Sequence, residues 1–533
     1  MKKIFALLLV MTMLFTGAAV FAEEQPAFGG SLNVGTFADP DTLNPIVGND
    51  QAGSWILQLI YPSLYVLDEE GNKIPYCMEE PVYSEDGCDI TVTLKSGLKW
   101  DDGTPFTTKD VDYTFTTLKE TQAQWQGEQL LLAEWEIVDD LTMVFHLEKP
   151  APGFLTTVGF WTRIVPAHIW GEMTTDEMMA YENTEPVGMG PFKLTKYERT
   201  QYYTLEAVED FPLAPAGRAY LDQINFIVYA DTNTMVLALQ SGDIDLTVKE
   251  IPAMTARQLE SDPNYTILRN VSLGFEHICP NIKNPISGDL AVRTALAMTL
   301  DREQIAAFAF DGDAQPMYGP VSPVYEQFQY GIEFPKMDIE GAKKVLADAG
   351  WVDTDGDGIV EKDGVKCSMK MMYASSVTEY NKVTTIVAEN AKQAGIEIIP
   401  DPMEKALTSS HIYNHEDTEW QLYLGTWGIL DDINTTLVTL YRSGANLNFG
   451  DWENAEADAA MDALTHEMDP DEIDRLMQIV ETKMVEEIAD MPLVVKMCSY
   501  AHNQKFAGFT IYPSTLRGVI DPQAVVQIYQ VAE

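Results

Sequence analysis

The chain has 533 residues, too many for one hydrophobic core, so at least two domains are expected. It carries 82 Asp and Glu against 34 Lys and Arg, a formal net charge of −48. Such a surface repels phosphate backbones and anionic lipid, which argues against nucleic-acid and membrane-surface partners, and its 46% hydrophobic content excludes a disordered chain.

The N-terminus, "MKKIFALLLVMTMLFTGAAVFAEEQ", sets two lysines before an apolar run and small residues at Ala19 and Ala22. This pattern predicts a cleaved secretory signal over 1–22, with the run too short for a comfortable membrane span. No cysteine lies near the cut, so no lipid anchor is expected, and the mature chain is expected to be periplasmic. "VYSEDGCDITVTLKSGLKW" predicts a hairpin, because Asp86-Gly87 is a turn dipeptide and Ile90, Val92 and Leu94 alternate after it. In "DDGTPFTTKDVDYTFTTLKE", Thr107 and Asp110 form a capping-box pair, and Val111, Phe115 and Leu118 share one helix face. Asp301 with Gln304 caps a later helix. Another starts at Asp338, carries its stripe on Ala342, Val345, Leu346 and Ala349, and ends at Gly350. "DEIDRLMQIVETKMVEEIADMPLVVKM" predicts a long amphipathic helix that stops before Pro492 and runs into a strand. This alternation is an α/β chain.

Five cysteines are scattered without C-x-x-C, and they fit either two disulfides with one thiol left over or buried free thiols. Cys77 and Cys88 are close enough in sequence to pair. "DTDGDGIVEKDG" places Asp353, Asp355 and Asp357 at loop positions 1, 3 and 5 of a calcium loop, with Gly358 at 6. Position 12 is Gly364 where a bidentate Glu is needed, so an acidic turn is expected and no metal is assigned. His411 and His415 in "HIYNHED" have the i, i+4 spacing of a metal pair without any H-E-x-x-H. G-x-S-x-G, G-x-x-x-x-G-K-[ST] and H-E-x-x-H are all absent, so no catalytic residue and no cofactor are assigned and the chain is not read as an enzyme.

Ordered blocks along the chain resemble the family 5 extracytoplasmic solute-binding proteins of ABC importers, typified by oligopeptide- and dipeptide-binding proteins. They are "LNVGTFADPDTLNP" (32–45), "IYPSLYVLDEEGNKIP" (60–75), "SGLKWDDGTPFTTKDVDYTF" (96–115), "PVGMGPFKLTKYE" (186–198) and "ALQSGDIDL" (238–246). "DLAVRTALAMTLDREQI" (289–305), "AKKVLADAGWVDTDGDGI" (342–359) and "MPLVVKM" (491–497) complete the series. The resemblance implies a two-lobed periplasmic-binding-protein fold, class II-like, with an additional domain inserted in lobe I. Lobe I is expected at 23–66, 186–275 and 495–533, the insertion at 67–185 and lobe II at 276–494. The Gly/Pro loops "DPDTLNP", "VGMGPF" and "GPVSP" (319–323) suit a cleft rim or hinge. The implied function is capture of a short peptide by hinge closure, with the permease subunits of an importer as membrane partners and a monomer as the working unit. An oligosaccharide on the same fold is the alternative, and an exported hydrolase a distant one.

The stretch "GTWGILDDINTT" (425–436) carries the expected site. In peptide-binding members an acidic residue three positions after this tryptophan holds the peptide's α-amino group. Here Leu430 stands three after Trp427, and the carboxylates Asp431 and Asp432 follow it. Three readings stay open: one of them is the amine anchor, Asp432 or Asn434 N-caps the following helix, or the site has no charge anchor. The resemblance puts Trp427 near the cleft as wall or ligand contact. Arg442 is the candidate for a ligand carboxylate, or else a helix-end arginine.

Overall fold

A computed structural model describes residues 26–68, 72–428, 433–512 and 517–531. The expected signal 1–22 and the pair Asp431 and Asp432 lie outside the described residues. Among the described residues, no helix is long and apolar enough to cross a membrane.

One twelve-stranded sheet runs through both lobes. In the first lobe the order is Leu246–Thr247, Ser31–Thr36, Gln223–Val228, Tyr202–Ala207, Phe192–Glu198, and Ser31–Thr36 is parallel to both of its neighbours. In the second lobe Glu276–Pro280 is followed by Leu422–Thr426, Ser368–Ala374 and Glu397–Met403, the last three mutually parallel. Parallel strands need helical crossovers, and the alternating helices supply them on the sheet faces. The 13-residue strand Met491–Asn503 joins the halves. Its first part pairs with Glu276–Pro280 and Ala314–Pro316, and from Met497 onward it pairs with Tyr265–Val271. The chain therefore crosses between lobes twice, on adjacent strands, which is a hinge of continuous backbone.

Two main cores flank that hinge. One gathers buried residues from Leu32 to Val248 and again from Tyr500 to Ile528; the other runs from Phe275 to Val495. The inserted segment adds a four-stranded antiparallel sheet in the order Val82–Tyr83, Asp89–Thr93, Thr142–Leu147, Ala133–Ile137. Helix Thr108–Thr121 covers it with Val111, Phe115 and Leu118, all buried, and the predicted capping box of Thr107 and Asp110 is formed. The expected hairpin turn is present, with Gly87 at φ +69°. Asp301 accepts from the Gln304 amide at 2.8 Å and Asp338 from the Gly341 amide at 2.9 Å, as their cap positions require. In "VGMGPF", a Cβ on Gly190 would stand 2.1 Å from the Leu59 carbonyl oxygen, so the return from insertion to lobe closes only with glycine there.

The cysteines resolve to one of the two readings. All five are free thiols, and the Cys77 thiol, fully buried, donates to the Ser63 carbonyl at 3.2 Å. "DTDGDG" is an acidic turn bound to its own backbone. Asp353 accepts from the amides of Gly356 and Gly358 at 2.7 and 3.0 Å, and the Lys366 ammonium pairs with Asp355 at 2.9 Å and with Asp357. Lys366 thus neutralises two of the loop's carboxylates, while Asp353, Asp355 and Glu361 bring carboxylate oxygens within 4.8 Å of one another, close enough to share a cation. His411 and His415 do not converge either: helix Lys405–Ile412 ends between them, and their Nδ1 atoms face Asp417 and Asp451 respectively.

Candidate ligand-binding cleft

A cavity of 850 Å³ lies between the lobes. Its first-lobe wall is the "DPDTLNP" loop and the helix after it, at Pro45, Gly48, Ser54 and Leu57. The side chain of Gln124 ties that wall to the insertion, donating to the carbonyls of Pro45 and Gly48 at 2.9 Å each. The insertion supplies the apolar wall: Trp125, Leu132, Phe154 and Trp161. Trp125 is 51% exposed and stands edge-on to Trp161, ring centroids 6.4 Å apart. A tryptophan pair in a concavity, one ring exposed and the other half-buried, offers apolar area with little entropy to lose on binding. The opposite wall is in the second lobe, on helix Ile433–Tyr441 through Thr436, Val438 and Thr439, and at Thr465 and His466.

The described residues that line the cavity carry charge opposite in sign to that of the chain. Among the described residues that line it there is no Asp or Glu, and Arg163 is the one guanidinium. Arg163 donates from Nη1 to the carbonyls of Phe160 and Trp161 at 3.1 and 3.5 Å, and no carboxylate pairs with it among the described residues. Burial, and then the neighbouring Arg517 guanidinium, push its pKa down, so its charge is costly without an anion. Arg517 cannot serve the ligand, because it is fully buried and bonded to Asp521 at 2.9 Å. One sequence signal could have found Arg163: it is the sole charge in the otherwise uncharged run "FLTTVGFWTRIV".

The expected site residues fall into three places. Trp427 follows strand Leu422–Thr426 and is half-buried, with its ring sandwiched between His277 at 5.2 Å and Phe449 at 5.1 Å, both stacked. Both faces are covered by the protein's own rings, so a ligand can meet only the edge. Behind it, the His277 Nδ1 lies 2.8 Å from Asp490, and the Tyr441 hydroxyl donates to the same carboxylate at 2.8 Å. His277 and Asp490 are each 1% exposed, which locks this support in place. Arg442 forms a bidentate pair with Asp462 at 2.5 and 2.9 Å, so its fork is already engaged at a helix end. Helix Ile433–Tyr441 begins directly after Asp432 and lines the cavity; Asn434 falls inside its first turn, not at its cap. "GPVSP" does not line this cavity: Gly319, Val321 and Pro323 line a separate one in the second lobe.

At the cleft edge the lobes touch. The His466 Nδ1 is 2.7 Å from the Pro150 carbonyl oxygen, and a Cβ on Gly87 would lie 2.3 Å from the Met468 sulfur. The turn 465–469 of the second lobe thus rests on the inserted domain.

Comparison with known proteins agrees with this architecture. The profile described as "Bacterial extracellular solute-binding proteins, family 5 Middle" matches residues 73–448. Oligopeptide-binding protein AppA of Bacillus subtilis (strain 168) is 30% identical over 447 residues, 82% of this chain and 81% of that protein. The solved structure of AppA from Bacillus subtilis in complex with a nonapeptide superposes with a TM-score of 0.71 at 26% identity, covering 95% of this chain and 100% of that one. The ABC transporter substrate-binding protein CtaP of Listeria monocytogenes gives a TM-score of 0.82 at 24% identity, again over 95% and 100% of the two chains.

Proposed function

The chain belongs to the bacterial extracellular solute-binding proteins of family 5, and from that premise we propose that it captures short peptides between its lobes for an ABC importer. The observation that carries this reading is the inter-lobe cavity of 850 Å³ with, on one wall, a guanidinium that no carboxylate among the described residues pairs with, an exposed indole at Trp125 and a half-buried one at Trp161. Its volume lies within the ~300–1,000 Å³ typical of small-ligand sites. The similarity to a chain solved with a nonapeptide supports a peptide over other ligands.

In this reading Arg163 receives a ligand carboxylate, taking the role first expected of Arg442. Trp125, Trp161 and Leu132 receive apolar side chains. Asp431 or Asp432, at the head of the helix that lines the far wall, receives the α-amino group. Trp427 acts as an edge contact. The lobes are 23–66 with 186–275 and 495–533, and 276–494, with 67–185 inserted; the two separate cores support this division. Ligand bridging both walls favours the closed arrangement through differential contacts, and no bond is made or broken. The mature protein works as a monomer outside the cytoplasmic membrane after loss of residues 1–22, and delivers to permease subunits.

Mass spectrometry of small molecules released from the purified mature protein tests this directly. Peptides with free termini are the expected result. Oligosaccharides would replace the peptide reading with the sugar one, and steady conversion of either to smaller products would revive a hydrolase.

A further inference from the structure

The second lobe contains a separate cavity of 290 Å³, which shares no lining residue with the cleft. Its wall is the loop 316–333, with Tyr318, Phe328, Tyr330 and Pro323, and on the other side helix Pro470–Glu486 at Glu481. Glu481 sits on the helix's buried stripe beside Met477, Val480 and Met484, and is 2% exposed. Its Oε1 has no hydrogen-bond partner and no cation pairs with it among the described residues. A buried carboxyl left without a partner is costly and calls for one.

Three other polar side chains of the cavity already hold partners. The Tyr330 hydroxyl donates to Asp474 at 2.7 Å, and the Gln329 amide donates to the Ser322 carbonyl at 3.1 Å. Glu333 pairs with Lys336 at 2.8 Å, and the Tyr318 ring already carries Arg302 and Lys336, each 5.1 Å from its centroid. What the cavity offers a ligand is apolar and aromatic wall around one unpaired acid.

We propose that this cavity is a second ligand site, taking a small organic amine whose ammonium pairs with Glu481 and whose carbon skeleton packs on Phe328, Tyr330 and Pro323. Once Glu481 is ionised, a neutral molecule leaves its charge uncompensated, and an anion is repelled by Glu333 and Glu481 together. Burial raises the Glu481 pKa to about 8. The groups facing it are Tyr318, Tyr330 and Glu333 from the loop and Asp474 from its own helix, with Lys336 and Arg302 behind Tyr318. Amine binding near neutral pH therefore drives a proton off Glu481.

The test is calorimetric titration of isoamylamine into the mature full-length protein, with isoamyl alcohol as the uncharged control. The amine should bind, the alcohol at least about ten-fold more weakly. Between about pH 7 and about pH 9 amine affinity should rise roughly ten-fold as Glu481 ionises, while the amine itself stays cationic. Glu481→Gln should abolish both the preference for the amine and its pH dependence, and leave peptide binding in the cleft unchanged. No heat from the amine at millimolar concentration, or equal affinity for amine and alcohol, would overturn the proposal. The pH comparison on the unsubstituted protein decides the matter even if the variant does not fold.

Discussion

The imidazole of His466, in the second lobe, donates from Nδ1 to the carbonyl oxygen of Pro150, in the inserted domain, across 2.7 Å at the edge of the cleft. A carbonyl can only accept, so Nδ1 carries the proton in this contact. Opening the lobes has to break this bond and lift Met468 from Gly87. His466→Ala should therefore favour the open arrangement. A hydrogen bond of this kind contributes about 0.5–1.5 kcal/mol, so peptide affinity should fall by roughly two- to ten-fold. Small-angle scattering of the variant should show a larger radius without ligand; an unchanged radius and affinity would make the contact incidental to closure.

Arg163 and Arg442 separate in one experiment. Arg163→Met removes the unpaired guanidinium of the cavity and should weaken binding of a free-carboxylate peptide by roughly thirty-fold or more, the range for losing one partner of a buried charge pair. C-terminal amidation of the peptide should cause a similar loss in the unsubstituted protein and little further loss in the variant. Arg442→Gln should leave affinity untouched and change stability little, because the pair with Asp462 is exposed to solvent on both sides. Equal binding of acid and amide by the unsubstituted protein would remove Arg163 from the site.

For the acidic pair, Asn substitution at Asp431 or Asp432 keeps the shape and deletes the charge. If one anchors the ligand amine, affinity should fall by roughly thirty-fold or more, and N-acetylating the peptide should add little to that loss. If Asp432 is only the helix cap, both Asn variants should bind normally and Asp432→Ala should lose ~1 kcal/mol of stability. Affinity for acetylated and free peptides is the deciding measurement.

Trp427, held between His277 and Phe449, should behave first as a packing residue. Trp427→Ala should cost roughly 1–3 kcal/mol in urea denaturation without any ligand present, less than a fully buried ring because it is half-buried. A fall in affinity with stability intact would instead make the ring a ligand platform.

Glu481 predicts a pH signature in stability. Its folded pKa is raised from 4.5 to about 8, so between those values the folded chain keeps a proton that the unfolded chain releases. Its contribution is fully present below the unfolded value and is lost as pH rises toward 8. Glu481→Gln, neutral throughout, should flatten that fall, and its advantage over the unsubstituted protein should grow by roughly 1.4 kcal/mol per pH unit. Urea denaturation at a series of pH values between about 5 and 9 reads this difference; parallel curves would place the Glu481 pKa back in the ordinary carboxyl range.

Much of the fold could be read along the chain because its signals are local. Thr107 with Asp110, Asp301 with Gln304, and Asp86-Gly87 act over two to four residues, and each forms the cap or turn expected of it. The acidic loop at 353–358 shows where local pattern ends. Its spacing cannot show that Lys366, brought back by the short hairpin Glu361–Lys362 with Val365–Lys366, pairs with Asp355 and Asp357. In the same way Arg442 could be marked as a free cation only while Asp462, twenty residues on, was out of view.

What the sequence alone determined was the α/β class, the solute-binding family and the caps and turns that punctuate its elements, since these rest on periodicity and ordered blocks that need no partner. Which side chains line the inter-lobe cavity was decided by the tertiary structure. Arg163 and Trp161 come from the inserted domain, Pro45 from the first lobe and Thr436 from the second, and only the closing of three segments distant in sequence makes them one wall. Glu481 shows the same limit from inside a helix: it reads as an ordinary member of "VETKMVEEI" until the loop 316–333 folds over it. Whether a charge is exposed, paired or buried without a partner is a property of what packs against it, and that is set by contacts outside its own local stretch of chain.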